Sequence, residues 1–253
     1  MITRGFHCVR VRTFVDRIGE FLSLSDCERE ALTNLQGRTR SLRRGAVLVR
    51  EKDRTSDFFV VSSGMMMSYV LLDDGSRQIL RFLFPGDVTG ASALAYANSP
   101  ESVAALCESV VCLFDRTQVA DVLTRHPRLA LALTALDQAE RAAMTDRLAG
   151  LGRTSAQARI AAVLLDLRDR LRRTGEDVAS GFTLPLTQEE IGDASGLTAV
   201  HVNRMLRQLE DMGLIVRQGS RVILADETRL RRAAKYVDRL AGVDLSWMVL
   251  SGE

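Results

Sequence analysis

Residues 186–215, LTQEEIGDASGLTAVHVNRMLRQLEDMGLI, restrict the fold more tightly than any other stretch of the chain, because one glycine separates two short amphipathic patterns. Thr187 opens the first pattern: its hydroxyl can cap the backbone while Glu190, three residues on, reaches back in a capping box. Ile191 and Ala194 then face inward, Gly196 permits a sharp turn, Thr198 caps a second helix, and Gly213 stops that helix after Met212. At about 100° per residue, Val202, Met205, Leu206 and Leu209 fall on one side of the second helix, and Val200, Asn203, Arg204 and Arg207 fall on the other. One side packs and the other is free to touch something else.

That layout predicts a helix-turn-helix whose second helix enters a DNA major groove. There an arginine can bond guanine O6 and N7 together, discriminating by about 1–3 kcal/mol. Arg204 is the candidate for that contact, with Ala199, Val200, Asn203 and Arg207 beside it. Thr187, Gln188 and Thr198 lie near helix N-termini, where hydroxyl, amide and backbone N–H groups suit phosphate oxygens, so they would position the domain without specifying sequence. A plain helical hairpin with a solvated arginine face would share these features. The next residues along the chain favour DNA: Leu214–Arg217 and Arg221–Leu224 are β-type runs joined by Gln218, Gly219 and Ser220, a hairpin that turns the motif into a winged helix-turn-helix.

Charge neither supports nor opposes this reading. The net charge is +2 across 253 residues, too small to announce a nucleic-acid partner by itself. The length suits two domains, each able to bury its own core. No apolar run approaches the roughly 18 residues of a membrane span and the start, MITRGFHCVRVR, lacks a signal-peptide apolar block, so the expectation is a cytoplasmic protein with no membrane partner.

From Leu42 to Phe114 short β-type runs are broken at Arg44-Gly45, Ser63-Gly64, Asp73-Asp74-Gly75 and Pro85-Gly86-Asp87, a spacing that predicts a sandwich or barrel. Within it, FFVVSSGMMMSYVLLDDGSRQILRFLF supplies the clearest hairpin, and Val103–Phe114 completes the sheet. Met65–Met67 are read as pliable core. Gln118–Leu151 reads as a long helix broken or bent only near Pro127, with Leu129, Leu133, Leu136, Met144, Leu148 and Leu151 at helical spacing and small Ala132, Ala139 and Ala143 between them. This stripe suits either packing on its own domain or a two-chain seam, and a dimer would set two reading helices on half-sites roughly 34 Å apart. Asp226 onward predicts an added helix with Leu230, Ala234, Val237 and Leu240 on one side, packed on its own domain, with a second dimer contact or a partner surface as the alternative. Trp247 has no assigned role.

Catalysis finds no support: there is no nucleophile–base pairing, phosphate-cradling glycine loop or metal-ligand spacing. Cys8, Cys27, Cys107 and Cys112 lack the close pairing of zinc or redox sites and read as structural thiols. No catalytic residue, metal or cofactor is assigned.

In its order of parts the chain resembles the Crp/Fnr family of bacterial transcription regulators over nearly its whole length. The helix-turn-helix segment with its wing is the most specific match, and FLFPGDVTGASAL followed by SVAALCESVVCLFDRTQV is similar to the family's sensor segment. The resemblance implies an α+β fold: N-terminal helices and a jelly-roll sensor of cyclic-nucleotide-binding type over 1–117, a dimerisation helix over 118–151, a winged helix-turn-helix over 152–228 and a C-terminal helical extension over 229–253. It implies a homodimer on palindromic double-stranded DNA, controlled by an unidentified small-molecule or redox effector, with RNA polymerase as a candidate partner. The alternative is a ligand-sensing adaptor whose helix-turn-helix binds protein.

Carried over residue by residue, Arg204 matches the family's base-reading arginine and Thr198 its phosphate-contacting hydroxyl. Val200 stands where well-known members place a cytosine-reading glutamate, and Ala199 where some have a further arginine, which predicts a different half-site. In the sensor, Ala91 stands near the ribose-holding glutamate of cyclic-AMP-binding members, and Glu101-Ser102 near their arginine-serine pair. A carboxylate there repels a phosphate, so cyclic AMP is not the expected ligand. Cys112 falls near the cluster cysteine of the oxygen-sensing branch, but Cys8 and Cys27 do not supply the remaining thiolates, and no iron–sulfur cluster is expected. His7 and His126 are not expected to hold haem, and His201 is read as a phosphate or solvent contact.

Overall fold

The computed structural model describes residues 11–35 and 37–248. They divide into two compact units, one of residues 11–68, 83–142 and 239–248, the other of residues 69–82 and 143–238.

The first unit opens with α1 (Phe14–Gly19) and α2 (Asp26–Thr33), each started by a capping box, Thr13 with Asp16 and Ser25 with Glu28. Short strands follow along the chain: β1 (Arg38–Leu42), β2 (Val47–Val49), β3 (Asp57–Ser63), β4 (Met66–Leu71), β5 (Arg77–Leu83), β6 (Val88–Thr89), β7 (Ser102–Ala105) and β8 (Ser109–Asp115), with a 3-10 turn at Ala91–Leu94; the end of β4 and nearly all of β5 are grouped with the second unit. They form two four-stranded sheets, β1-β8-β3-β6 and β2-β7-β4-β5. This is the sandwich that the run of short strands predicts.

Strand β3 shows why its sequence is apolar without interruption. Phe58 and Val60 point to a core shared with the helices, whereas Phe59 and Val61 point into the space between the sheets. Both faces are buried, so alternation disappears from the sequence. Met65–Met67 are buried too, as core methionines. Cys107 and Cys112 are half-buried, and burial pushes both thiols above their ordinary values, while Cys27 is exposed. Cys8 and His7 lie outside the described residues.

Of the break or bend expected near Pro127, the structure has the break. Helix α3 (Arg116–Arg125) stops at His126, and Pro127 opens α4 (Pro127–Arg153), the position where a missing N–H costs nothing. The α4 stripe also divides. Leu129, Ala132, Leu136 and Ala139 are buried in the helical core of the first unit, whereas Met144 and Leu148 are exposed.

The C-terminal segment departs from the expectation. Helix α8 (Glu227–Ala234) ends at once because Lys235 adopts φ 51°, so the anticipated longer stripe never forms and Val237 is exposed. Leu240, Leu245 and Met248 instead join Phe14, Leu129 and Leu136 in the core of the first unit. Arg128 fastens this segment, donating to the Met248 carbonyl at 3.2 Å while pairing with Glu28 at 2.9 Å.

In the second unit α5 (Ala156–Arg173), capped by Ser155, carries most of the core through Ile160, Ala161, Leu164, Leu165 and Leu167. Around it lie β9 (Phe182–Thr183), α6 (Gln188–Ser195), α7 (Ala199–Asp211), β10 (Ile215–Gln218), β11 (Arg221–Leu224) and α8, the strands ordered β10-β11-β9.

Candidate nucleic-acid interface

Local chemistry fixes the α6–turn–α7 geometry. Thr187 Oγ1 accepts from the Glu190 N–H at 3.1 Å and Glu190 Oε2 accepts from the Thr187 N–H at 2.7 Å, completing the expected capping box. At the far end Gly196 sits at φ 65°, ψ 43°, and the N–H groups of Gly196 and Leu197 both reach the Gly192 carbonyl. This left-handed stop reverses the chain within a few residues. Thr198 Oγ1 then accepts from the His201 N–H at 3.3 Å and starts α7. As a cap acceptor, the exposed Thr187 hydroxyl keeps its own proton and retains a donor for a phosphate oxygen, whereas the exposed Thr198 Oγ1 also lies 3.4 Å from His201 Nδ1, a pair in which either atom can donate.

Helix α7 has one buried face made of Val202, Met205, Leu206 and Leu209, the residues that helical spacing assigns to it. On the outer face Arg204 and Arg207 are exposed, Val200 keeps 81% of its surface, and Ala199 is exposed beside it. Asn203 is half-buried, at the margin of that face. Among the described residues neither arginine makes a hydrogen bond or an ion pair; Arg207 feels Glu210 only through space. A valine so exposed at a helix start gains nothing from the protein itself. Gln188 is exposed at the first turn of α6.

The wing is keyed to the end of α7. Strands β10 and β11 pair from Ile215↔Leu224 to Gln218↔Arg221 around Gly219 at φ 65°. Glu210 accepts from the Arg217 N–H at 3.1 Å and from its guanidinium at 2.6 Å, and these bonds hold the Glu210 carboxyl below its ordinary value. Arg221 donates to the Ser180 carbonyl at 2.9 Å, tying the wing to the turn before β9.

Three features escape the linear reading. Gly192 is buried in α6, and a Cβ there would lie 2.3 Å from the Leu197 carbonyl oxygen, so only glycine lets the turn close so tightly. An isolated glycine inside a helical pattern is a readable signal of such an approach. The Glu210–Arg217 pair joins separate elements and leaves no local mark. The hairpin residues grouped in this unit also grip α6: Arg77 donates from Nε and Nη2 to Asp193 at 2.7 Å, and Gln78 Nε2 donates to the Asp193 carbonyl at 2.7 Å. Asp193 lies in the last turn of α6, where helix dipole and carboxylate repel, and the guanidinium offsets both. Arg147 adds a bond to the Leu80 carbonyl and an ion pair to Asp166.

Known proteins match this architecture from both ends. The family described as the Crp-like helix-turn-helix domain matches residues 158–233, and the cyclic nucleotide-binding domain matches residues 39–126. The nitrogen fixation regulation protein FixK of Bradyrhizobium diazoefficiens is 32% identical over 191 residues, covering 75% of this chain and 79% of that protein. The fumarate and nitrate reduction regulatory protein of Escherichia coli is 25% identical over 219 residues, 87% of either chain. The solved structure of FixK2 from Bradyrhizobium japonicum superposes with a TM-score of 0.72 at 30% identity, covering 79% of this chain and 98% of that one.

Proposed function

The chain belongs to the Crp/Fnr family of transcription regulators, and within that family we propose that it reads its operator through the outer face of α7, with Arg204 as the base-reading side chain. It is a dimeric DNA-binding regulator and not an enzyme, and the adaptor alternative is not favoured. The observation that carries the assignment of residues is the exposure of Arg204 without a protein partner, directly opposite a stripe that is fully packed. In a groove its five N–H donors meet guanine acceptors, Arg207 follows one turn later, and Thr187, Gln188 and Thr198 hold the phosphates on either side. Val200 and Ala199 offer a methyl surface to thymine and no acceptor to cytosine, which sets the half-site apart from those read by a glutamate.

Two copies joined along the exposed end of α4, where Met144 and Leu148 lie one turn apart, would bring two reading helices to one palindrome. Control falls to the jelly roll: an effector shifts DNA binding only through a difference in affinity for the two arrangements. Cyclic AMP does not suit it. Ser102 is buried and its hydroxyl already accepts from the Glu51 N–H at 2.9 Å, and Ala91 brings no carboxylate for a ribose. We place the protein in the cytoplasm, with RNA polymerase as the partner through which DNA binding becomes regulation; among the described residues no helix is long and apolar enough to cross a membrane.

Selection from random duplexes followed by fluorescence anisotropy tests the reading. Arg204→Ala should weaken the selected site by about 1–3 kcal/mol and relax preference at one base pair. Unchanged affinity together with unchanged base preference overturns it.

A further inference from the structure

Strand β1 carries an arginine where a core residue is expected. Arg38 and Phe59 both stand opposite Leu113 in the sheet, so Arg38, Arg40 and Leu42 share the face of Leu113, Phe59 and Val61, which is the face that builds the core between the sheets. Leu42 follows that rule and is buried; Arg40, two residues earlier, lies at the open end of the sandwich and is exposed. There it borders a cavity of about 320 Å³, the lower part of the range that holds small ligands. Leu48, Phe59 and Leu113 supply a small apolar floor in a lining whose exposed surface is mostly polar, and Arg54, from the β2–β3 connection, stands on the rim with Arg40.

The polar lining sorts itself by what is already engaged. Asp57 also lines the cavity, but Arg38 grips both its oxygens at 2.8 and 3.0 Å. Asp53 accepts from the Arg50 N–H at 3.0 Å. Thr55 accepts from the Asp57 N–H at 3.3 Å, which leaves its hydroxyl proton to donate. Among the described residues the guanidinium groups of Arg40 and Arg54 make no hydrogen bond or ion pair. Donors are therefore in excess above an apolar floor. The segment between β6 and β7, where the family resemblance puts the nucleotide contacts, contributes no residue to this lining.

We propose that this cavity binds a small organic oxyanion with an apolar body, the anionic group held by Arg40, Arg54 and the Thr55 hydroxyl and the body laid on Leu48, Phe59 and Leu113. Each half of the ligand supplies what one half of the site lacks: charge-assisted acceptors for the arginines and apolar surface for the floor. The competing explanation is that Arg40 only guards β1, an edge strand, since inward-pointing charge is a known defence against edge-to-edge pairing. That role needs no ligand. The proposal rests on the jelly roll being the sensor only for its consequence on DNA; occupancy of the cavity does not depend on DNA at all.

Calorimetry on the full chain tests it, with phenylphosphate as the complete probe, phenol as the body alone and inorganic phosphate as the anion alone. Phenylphosphate should bind once per chain, about tenfold or more tighter than either fragment. Arg40→Gln and Arg54→Gln should each weaken it by about fivefold or more, while Arg43→Gln, exposed on the β1–β2 connection and outside the lining, should not. Equal affinity for inorganic phosphate overturns the proposal, as does phenylphosphate binding that survives the double Arg40→Gln/Arg54→Gln substitution. Self-association of Arg40→Gln with unaltered phenylphosphate affinity assigns the residue to edge protection instead. Because no duplex is present, these results stand even if Arg204 proves not to read DNA.

Discussion

Arginine does two opposite things in the helix-turn-helix unit. On α7 it is open: Arg204 and Arg207 face outward with no bond to the protein among the described residues. Along the α5–α8 seam it is sealed. Asp169, with 1% of its side chain exposed, takes Arg231 Nη2 on both oxygens at 2.7 and 2.8 Å and Arg168 at 2.9 Å, while Glu227 joins the same two arginines at 2.8 Å each. Arg173 holds Asp238 at 2.8 Å, and the Arg231 guanidinium lies 5.3 Å from the Tyr236 ring centroid. Burial, then Asp166, Asp169 and Asp238, push the Tyr236 phenol far above its ordinary value, so it stays neutral. The same side chain thus organises a frame where carboxylates surround it and remains available for a partner where they are absent.

The largest test of that contrast is Asp169→Ala. It leaves Arg168 and Arg231 with Glu227 as their remaining acid and takes the 3.7 Å partner from Arg172, so the cost sits at the low end, about 3 kcal/mol, of what removing one partner of a buried ion pair costs. Urea unfolding should show the loss, with intrinsic DNA affinity of the folded fraction preserved. A change below about 1 kcal/mol would mean that the seam is solvated in practice and that the two arginine populations differ less than their burial suggests.

Arg204→Ala probes the open population by the converse outcome. Stability should move by no more than about 0.5 kcal/mol, as for an exposed residue without partners, while specific DNA affinity falls. Arg207→Ala should weaken all duplexes more evenly and flatten the salt dependence by about one unit of slope. Destabilisation by either substitution would show that the outer face of α7 is packed in the dimer.

Why one population is legible in sequence and the other is not comes down to distance along the chain. The α7 faces follow from a 3.6-residue period acting within one helix, so Val202, Met205, Leu206 and Leu209 can be placed from their spacing alone. The caps at Thr187 and Thr198 are equally local. The seam joins residues about sixty positions apart, as with Asp169 and Arg231, and charged letters on a helix ordinarily mean solvent. The C-terminal segment is illegible for the same reason. Leu240 continues a helical period from Leu230, yet the left-handed Lys235 interrupts it, and Leu240 is buried with Leu129 and Phe14 instead. The α4 stripe is readable as apolar but not as divided, since the same leucine spacing serves packing in cis and across a seam.

Between the extremes stands Arg77, engaged by a single acid at the end of α6. A hydrogen bond to a charged group contributes about 1.5–3 kcal/mol, and its half-buried position puts Arg77→Ala at the low end of that range. A double-mutant cycle with Asp193→Ala should return a coupling of about 1 kcal/mol. Additive effects would mean that Gln78, whose donor goes to the Asp193 main chain, holds the hairpin alone.

The smallest effect belongs to Glu210, where pH separates a paired carboxylate from a solvated one. Hydrogen bonding to Arg217 depresses its folded value, so the contribution to stability is present above the ordinary glutamate range and disappears as pH falls through the depressed value. Its side chain is 30% exposed and its partner 22%, which keeps the contribution near 0.5 kcal/mol and lets salt reduce it. Glu210→Gln should therefore be slightly less stable than the parent at neutral pH, and the two stability curves should converge in acid. Curves that stay parallel would show that the Arg217 N–H bond, which a glutamine oxygen can also accept, holds the wing without help from charge.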